Sequence, residues 1–207
     1  MKHLVHNLII LDESGSMESI KRPTIQSFNE IIQTAKAMEA QFPEQEHRIS
    51  FLTFNGAGRS LHLWNQPVAK AAPVDAEKYS PNASTPLYDA MGFAISRLHA
   101  ELSAVAACNV LVTIFTDGEE NASVEWKGSD IKKLVEKLQK NHWTFTYIGT
   151  DHDVSTAADR IAISNVLAFA KSEEGLMDML EQERTARTNY NRKIRNNEDT
   201  SKDFYKK

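Results

Sequence analysis

The sequence LVHNLIILDESGS (residues 4–16) joins a mostly apolar run to a polar loop. An apolar run of this length is typical of a strand that is covered on both faces. The run ends at Asp12, and Glu-Ser-Gly-Ser follows it. A second segment, NVLVTIFTDG (residues 109–118), repeats the pattern and ends in Thr116, Asp117 and Gly118. The two segments predict buried parallel strands whose carboxyl ends lead into polar loops.

Further strands and helices alternate along the chain. Additional strands are predicted at residues 48–55, 60–64, 143–149 and 165–170. Helices are predicted at residues 25–40, 87–102, 130–141 and 154–161, and from Ser172 onward. Gly56 and Gly58 favour a hairpin between the second and third strands, whereas helical crossovers make the other strands parallel. The pattern predicts a doubly wound α/β fold with a mostly parallel six-stranded sheet and one antiparallel edge strand.

Five oxygen-bearing side chains lie in loops of this predicted fold. They are Asp12, Ser14, Ser16, Thr85 and Asp117. Ligands of such sheets bind beyond the carboxyl ends of the strands, and Asp12 and Asp117 can meet there if their strands are neighbours. All five are hard oxygen donors, which suit Mg²⁺, Mn²⁺ or Ca²⁺ better than zinc or copper.

These residues resemble the metal-ion-dependent adhesion site of von Willebrand factor type A domains. Three segments carry the resemblance: Asp12-x-Ser14-x-Ser16, Thr85-Pro-Leu-Tyr-Asp-Ala and Thr116-Asp117-Gly118. The similarity spans about residues 4–180. It implies the Rossmann-like fold of that family and one bound divalent cation, Mg²⁺ first and Mn²⁺ or Ca²⁺ as alternatives.

The resemblance also implies a role for each of the five side chains. Ser14, Ser16 and, in an open state, Thr85 would contact the ion directly. Asp12 and Asp117 would act through waters. The remaining coordination position would accept a Glu or Asp side chain of a partner protein. Because neutral hydroxyls quench the charge of the ion poorly, an incoming carboxylate gains strongly.

Acidic residues flank the two carboxylates of this site. They are Glu13, Glu18, Glu119 and Glu120. Without metal they should repel an acidic partner, so we expect partner binding to depend on the metal. By analogy with short stand-alone bacterial and phage members of the family, the partner is expected to be an AAA ATPase or a stress-system protein.

Two other functions compete with a binding module. One is a Mg²⁺-dependent phosphohydrolase, but aspartyl-phosphate enzymes place a second carboxylate two residues after the nucleophile, where this chain has Ser14. Glycine-rich phosphate loops and a general base beside Asp12 or Asp117 are also missing from the sequence. The other is a structural subunit in which the metal only joins three loops. Thr85, before Pro86, could also simply cap the following helix. We expect a binding module that is not an enzyme.

Composition limits the remaining possibilities. The chain has 207 residues with a net charge of −4, which gives no basic surface for nucleic acid or anionic membranes. We expect one domain over residues 1–194 and a charged, solvated tail over residues 195–207. The lone Cys108 suits a reducing compartment, and no apolar run is long enough for a signal peptide or a membrane span. The expected location is cytoplasmic.

Overall fold

Strands and helices alternate in the computed structural model, which describes residues 2–150 and 153–206. The strands are β1 (His3–Asp12), β2 (Gln45–Asn55), β3 (Gly58–Pro67), β4 (Cys108–Thr116), β5 (Trp143–Gly149) and β6 (Asn165–Ala168). The α-helices are α1 (Lys21–Gln41), α2 (Leu87–Leu102), α3 (Gly128–Gln139), α4 (Val154–Arg160) and α5 (Glu173–Arg195). No helix in these described ranges is long and apolar enough to cross a bilayer.

All six strands form one sheet in the order β3-β2-β1-β4-β5-β6. β1 lies between β2 and β4 and runs parallel to both, and β5 and β6 continue the parallel arrangement. β3 pairs antiparallel with β2 and forms one edge of the sheet. The predicted mostly parallel six-stranded sheet with one antiparallel edge strand is therefore confirmed.

Helices cover both faces of the sheet, because alternate residues of each strand point to opposite sides. Leu8 and Ile10 of β1 pack with α2, α3 and α4, whereas Ile9 and Leu11 pack with α1 and α5. Both faces of the central strand are thus buried, which accounts for its continuous apolar sequence.

Helix α5 contacts the sheet partly through polar side chains. Glu183 and Arg187 of this helix are buried, with side chains 1% and 2% exposed. The Arg187 guanidinium donates to Asn7 Oδ1 of β1 at 3.0 Å and to Thr113 Oγ1 of β4 at 2.8 Å. This buried polar network lies between the apolar contacts at the start of the helix and those of Ala186, Tyr190 and Ile194 farther along it.

The segment after α5 folds back onto the same side of the sheet. Thr200 and Phe204 are buried, and Phe204 packs against Val5, Leu111 and the last turns of α5. Thr200 accepts a hydrogen bond from Asn109 Nδ2 at 3.1 Å. These contacts differ from the solvated tail predicted for residues 195–207, because its few apolar residues reach the sheet in spite of the charged composition.

Candidate metal centre

The carboxyl ends of β1 and β4 bring two acidic side chains to one edge of the sheet. The two strands are neighbours, with Leu11 paired to Phe115. Asp12 is the last residue of β1, and Asp117 directly follows β4. The condition under which Asp12 and Asp117 could meet is therefore fulfilled, and both carboxylates lie in the same group of loops.

Two serine hydroxyls join these carboxylates. Ser14 donates its backbone N–H to Asp12 Oδ1 at 2.7 Å, and its hydroxyl lies 3.2 Å from that of Ser16. The Ser16 hydroxyl donates to Asp117 Oδ1 at 2.6 Å. The Asp117 side chain is inaccessible to solvent, whereas Ser16 is exposed. The four residues form one hydrogen-bonded chain that reaches the protein surface at Ser16.

Burial and hydrogen bonds act in opposite directions on the Asp12 carboxyl group. Its Oδ2 accepts a hydrogen bond from Thr116 Oγ1 at 2.6 Å. Burial raises the pKa of Asp12 to about 6, although the hydrogen bonds from Thr116 and Ser14 oppose the shift. A cation bound nearby would favour the ionised form. The Tyr79 hydroxyl donates to the Asp12 carbonyl at 2.6 Å and supports the backbone of this strand end.

Thr85 reaches the same place from the loop before α2. It is buried, and Asn121 fixes its backbone by accepting from the Thr85 N–H at 2.9 Å and donating to its carbonyl at 3.2 Å. A β-carbon placed on Gly118 would lie 3.6 Å from Thr85 Oγ1 and 3.5 Å from Ser16 Oγ. Thr85 and Ser16 thus flank the same small space. Pro86, not Thr85, precedes α2. The first N–H groups of that helix donate instead to the side chains of Glu120 and Ser123, so capping does not explain Thr85.

The donor set fits a hard divalent cation. Two carboxylates and three hydroxyls supply only oxygen atoms, the ligands that Mg²⁺, Mn²⁺ and Ca²⁺ prefer. Across residues 2–150 and 153–206, this site included, no group of three or more His, Cys, Asp or Glu side chains could hold a metal. The candidate site therefore depends on its three hydroxyls as well as its two carboxylates.

One basic residue at this site was missed by the sequence analysis. Lys171 lies between β6 and α5, and its Nζ is 2.8 Å from Asp117 Oδ2 and 3.5 Å from the Ser16 carbonyl oxygen. The pair joins residues 54 positions apart, and no motif or spacing indicated it. A cationic side chain therefore contacts one of the predicted ligands.

The acidic residues around the site divide into two kinds. Glu13 is buried and accepts from the Ser80 N–H, and Glu120 accepts from the N–H groups of Ala122 and Ser123. These two carboxylates hold loops in place. Glu18 and Glu119 are exposed, so the predicted acidic rim consists mainly of these two residues.

Several known structures share the fold. A von Willebrand factor type A protein from Catenulispora acidiphila matches with a TM-score of 0.63 and 15% identity, over 90% of this chain and 43% of that one. The SpRpn10 VWA domain matches with a TM-score of 0.55 and 14% identity, over 86% and 94% of the two chains. Proximal thread matrix protein 1 from the mussel byssus, in a structure described as having a zinc-occupied MIDAS motif, matches with a TM-score of 0.54 and 16% identity, over 87% and 44%.

The chain spans less than half the length of the Catenulispora and mussel proteins. No curated protein sequence matches it significantly. The family model described as "von Willebrand factor type A domain", in contrast, matches residues 8–183, which includes both strand ends and Thr85. This chain belongs to the von Willebrand factor type A domain family.

Proposed function

We propose that this chain is a binding module that holds one divalent cation, Mg²⁺ first, and binds an acidic side chain of a partner protein through it. The proposed metal-site residues are Asp12, Ser14, Ser16, Thr85 and Asp117. The observation that supports the proposal best is the Ser16 hydroxyl, which lies 2.6 Å from Asp117 Oδ1 and 3.2 Å from the Ser14 hydroxyl at an exposed position.

The division between hydroxyls and carboxylates favours an anionic ligand. Ser14, Ser16 and Thr85 would hold the cation as neutral donors, and the two aspartates would act through water. Such a site leaves much of the ionic charge unbalanced, so a carboxylate from outside would bind well. A site lined by direct carboxylates would lack this preference.

The donor atoms favour some metal ions over others. The mussel structure described above contains zinc, but a site with only oxygen donors suits Mg²⁺, Mn²⁺ or Ca²⁺ better. We therefore expect Mg²⁺ or Mn²⁺ to support function, and Zn²⁺ belongs in the same titrations as a comparison.

Exposed acidic residues would make binding conditional on the metal. Glu18 and Glu119 stand at the surface beside the site, and Asp12 and Asp117 add negative charge beneath them. Without a cation, this group would repel an acidic partner. With a cation, the centre of the surface would attract it.

We also propose that the module has no catalytic activity. Asp117 accepts from Ser16 and Lys171, and Asp12 accepts from Ser14 and Thr116. Because these hydrogen bonds already engage both carboxylates, neither is placed as a nucleophile or a general base. A generic phosphomonoester incubated with the protein and MgCl₂ should show no hydrolysis above background. Turnover that is lost in Asp12→Asn would instead support the phosphohydrolase alternative.

The binding experiment uses the immobilised 207-residue chain. Lysate proteins are passed over it in MgCl₂ or in EDTA at equal ionic strength, with Ser16→Ala as the test variant and Ser19→Ala as the matched control. Ser19 is exposed, lies three positions after Ser16, and donates its hydroxyl to the Ser16 carbonyl at 3.3 Å.

The expected result is a set of proteins retained by wild type and Ser19→Ala in Mg²⁺ and lost in EDTA and in Ser16→Ala. An AAA ATPase or a stress-system protein is the first partner to look for among them. Equal retention with and without chelator would contradict metal-dependent binding.

A further inference from the structure

The positive charge of Lys171 contacts Asp117, whose negative charge the proposed metal site needs to hold a cation. Its Nζ lies 2.8 Å from Asp117 Oδ2, and the Asp117 side chain is inaccessible to solvent. The Lys171 side chain is 21% exposed. In this arrangement the buried carboxylate is balanced by a cation that belongs to the protein itself.

The backbone around Lys171 is held on both sides. Before it, the Phe169 N–H donates to the Gly149 carbonyl at 3.1 Å. After it, Ser172 caps α5 by accepting from the Gly175 N–H at 3.1 Å. The position of the residue is therefore fixed, whereas its long, partly exposed side chain can adopt other rotamers.

The ammonium and a divalent cation would use the same groups. Lys171 contacts Asp117 and approaches the Ser16 carbonyl, and the proposed metal ligands include the Ser16 hydroxyl and Asp117. Two positive charges within a few ångströms of one buried carboxylate repel each other strongly. Binding of the ion therefore favours departure of the lysine side chain.

We propose that Lys171 is a built-in competitor of the metal, which neutralises Asp117 in the metal-free protein and must release it for the ion to bind. This inference rests on the proposed metal site. Its consequence is a weakened affinity for the metal, so that the site loads only when the ion is abundant or when a partner carboxylate stabilises the loaded state.

The test compares wild type with Lys171→Met, which keeps an unbranched side chain one atom shorter and removes its charge. Lys171→Arg keeps the charge. Lys137→Met makes the same change in net charge at an exposed position in the last turn of α3. That turn leads into the start of β5, away from the strand ends that carry the proposed site. Binding of Mn²⁺ is measured by calorimetry, and thermal unfolding is followed in EDTA and in MnCl₂.

Loss of a hydrogen bond between charged groups changes an equilibrium constant by about tenfold or more. Lys171→Met is therefore expected to bind Mn²⁺ about tenfold tighter than wild type. Lys171→Arg and Lys137→Met should stay within about threefold of wild type, because both leave a positive charge beside Asp117. In EDTA, Lys171→Met should unfold at a lower temperature than wild type, and MnCl₂ should raise its unfolding temperature by the larger amount.

Three results would overturn the inference. If Lys171→Met and wild type bind Mn²⁺ equally, the lysine only stabilises the loop, and the proposed function is untouched. If Lys171→Arg binds as tightly as Lys171→Met, charge is not the cause. If none of the proteins binds Mn²⁺ at millimolar concentration, this inference and the proposed metal site both fail.

Discussion

Substitution of Arg187 by Met should destabilise the protein strongly, because it breaks a buried ion pair. Arg187 Nε lies 2.6 Å from Glu183 Oε2, with both side chains almost fully buried. Removal of one partner of such a pair typically costs about 3–5 kcal/mol, because the other charge stays buried without compensation. Asn7 and Thr113 would also lose the donors that join α5 to the two central strands.

The magnitude can be read from urea denaturation. With a denaturant dependence of about 2 kcal/mol per molar, the midpoint should fall by roughly 1.5–2.5 M. The double variant Glu183→Gln, Arg187→Met removes both charges and keeps an acceptor for the Tyr205 hydroxyl, which donates to Glu183 Oε1. It should recover most of the loss. A midpoint shift below about 0.5 M in the single variant, or no recovery in the double variant, would refute this reasoning.

Two further predictions concern stability. A β-carbon at Gly92 would lie 2.2 Å from the Trp126 ring. Gly92→Ala should therefore lower the free energy of unfolding by about 1–3 kcal/mol and alter tryptophan fluorescence. A stabilised protein with unchanged fluorescence would contradict the predicted overlap. Burial, and secondarily the charge of Arg48, lowers the pKa of His6 from 6.5 to about 3 in the folded protein. As the pH falls below 6.5, only the unfolded state therefore takes up this proton. The free energy of unfolding should decrease progressively as the pH falls toward 3. Between pH 7 and 5 wild type should lose about 2 kcal/mol more than His6→Gln in urea titrations, a comparison that cancels the opposite contribution of Asp12; parallel pH profiles would contradict it.

Much of the fold could be predicted because apolar periodicity reports burial directly. Continuous apolar strands indicated the parallel sheet, and the two glycines at 56 and 58 indicated the antiparallel hairpin. The grouping of Asp12 with Asp117 followed once their strands were taken as neighbours. These features depend on local patterns, and a single sequence is enough to show such patterns.

The features that were missed depend on contacts between distant polar residues. Glu183 and Arg187 have the composition of an exposed helix face, and only their mutual contact explains their burial. The salt bridge of Lys171 with Asp117 has no local pattern either. Phe204 was hidden by the charged residues around it, although it packs on the sheet. Periodicity therefore predicts the layers of the fold but not the polar contacts between them.

Titration of the full chain with Mn²⁺, followed by the electron paramagnetic resonance of the free ion, tests the metal site most directly. Wild type should bind one ion per chain at millimolar concentration or below, in competition with Mg²⁺. Asp12→Asn, which keeps the shape of the side chain, should lose that binding. The urea midpoint of the variant is measured in parallel as a control for folding. Wild-type protein that binds no ion at millimolar Mn²⁺, or Asp12→Asn that binds it equally well, would contradict a cation held between the ends of β1 and β4.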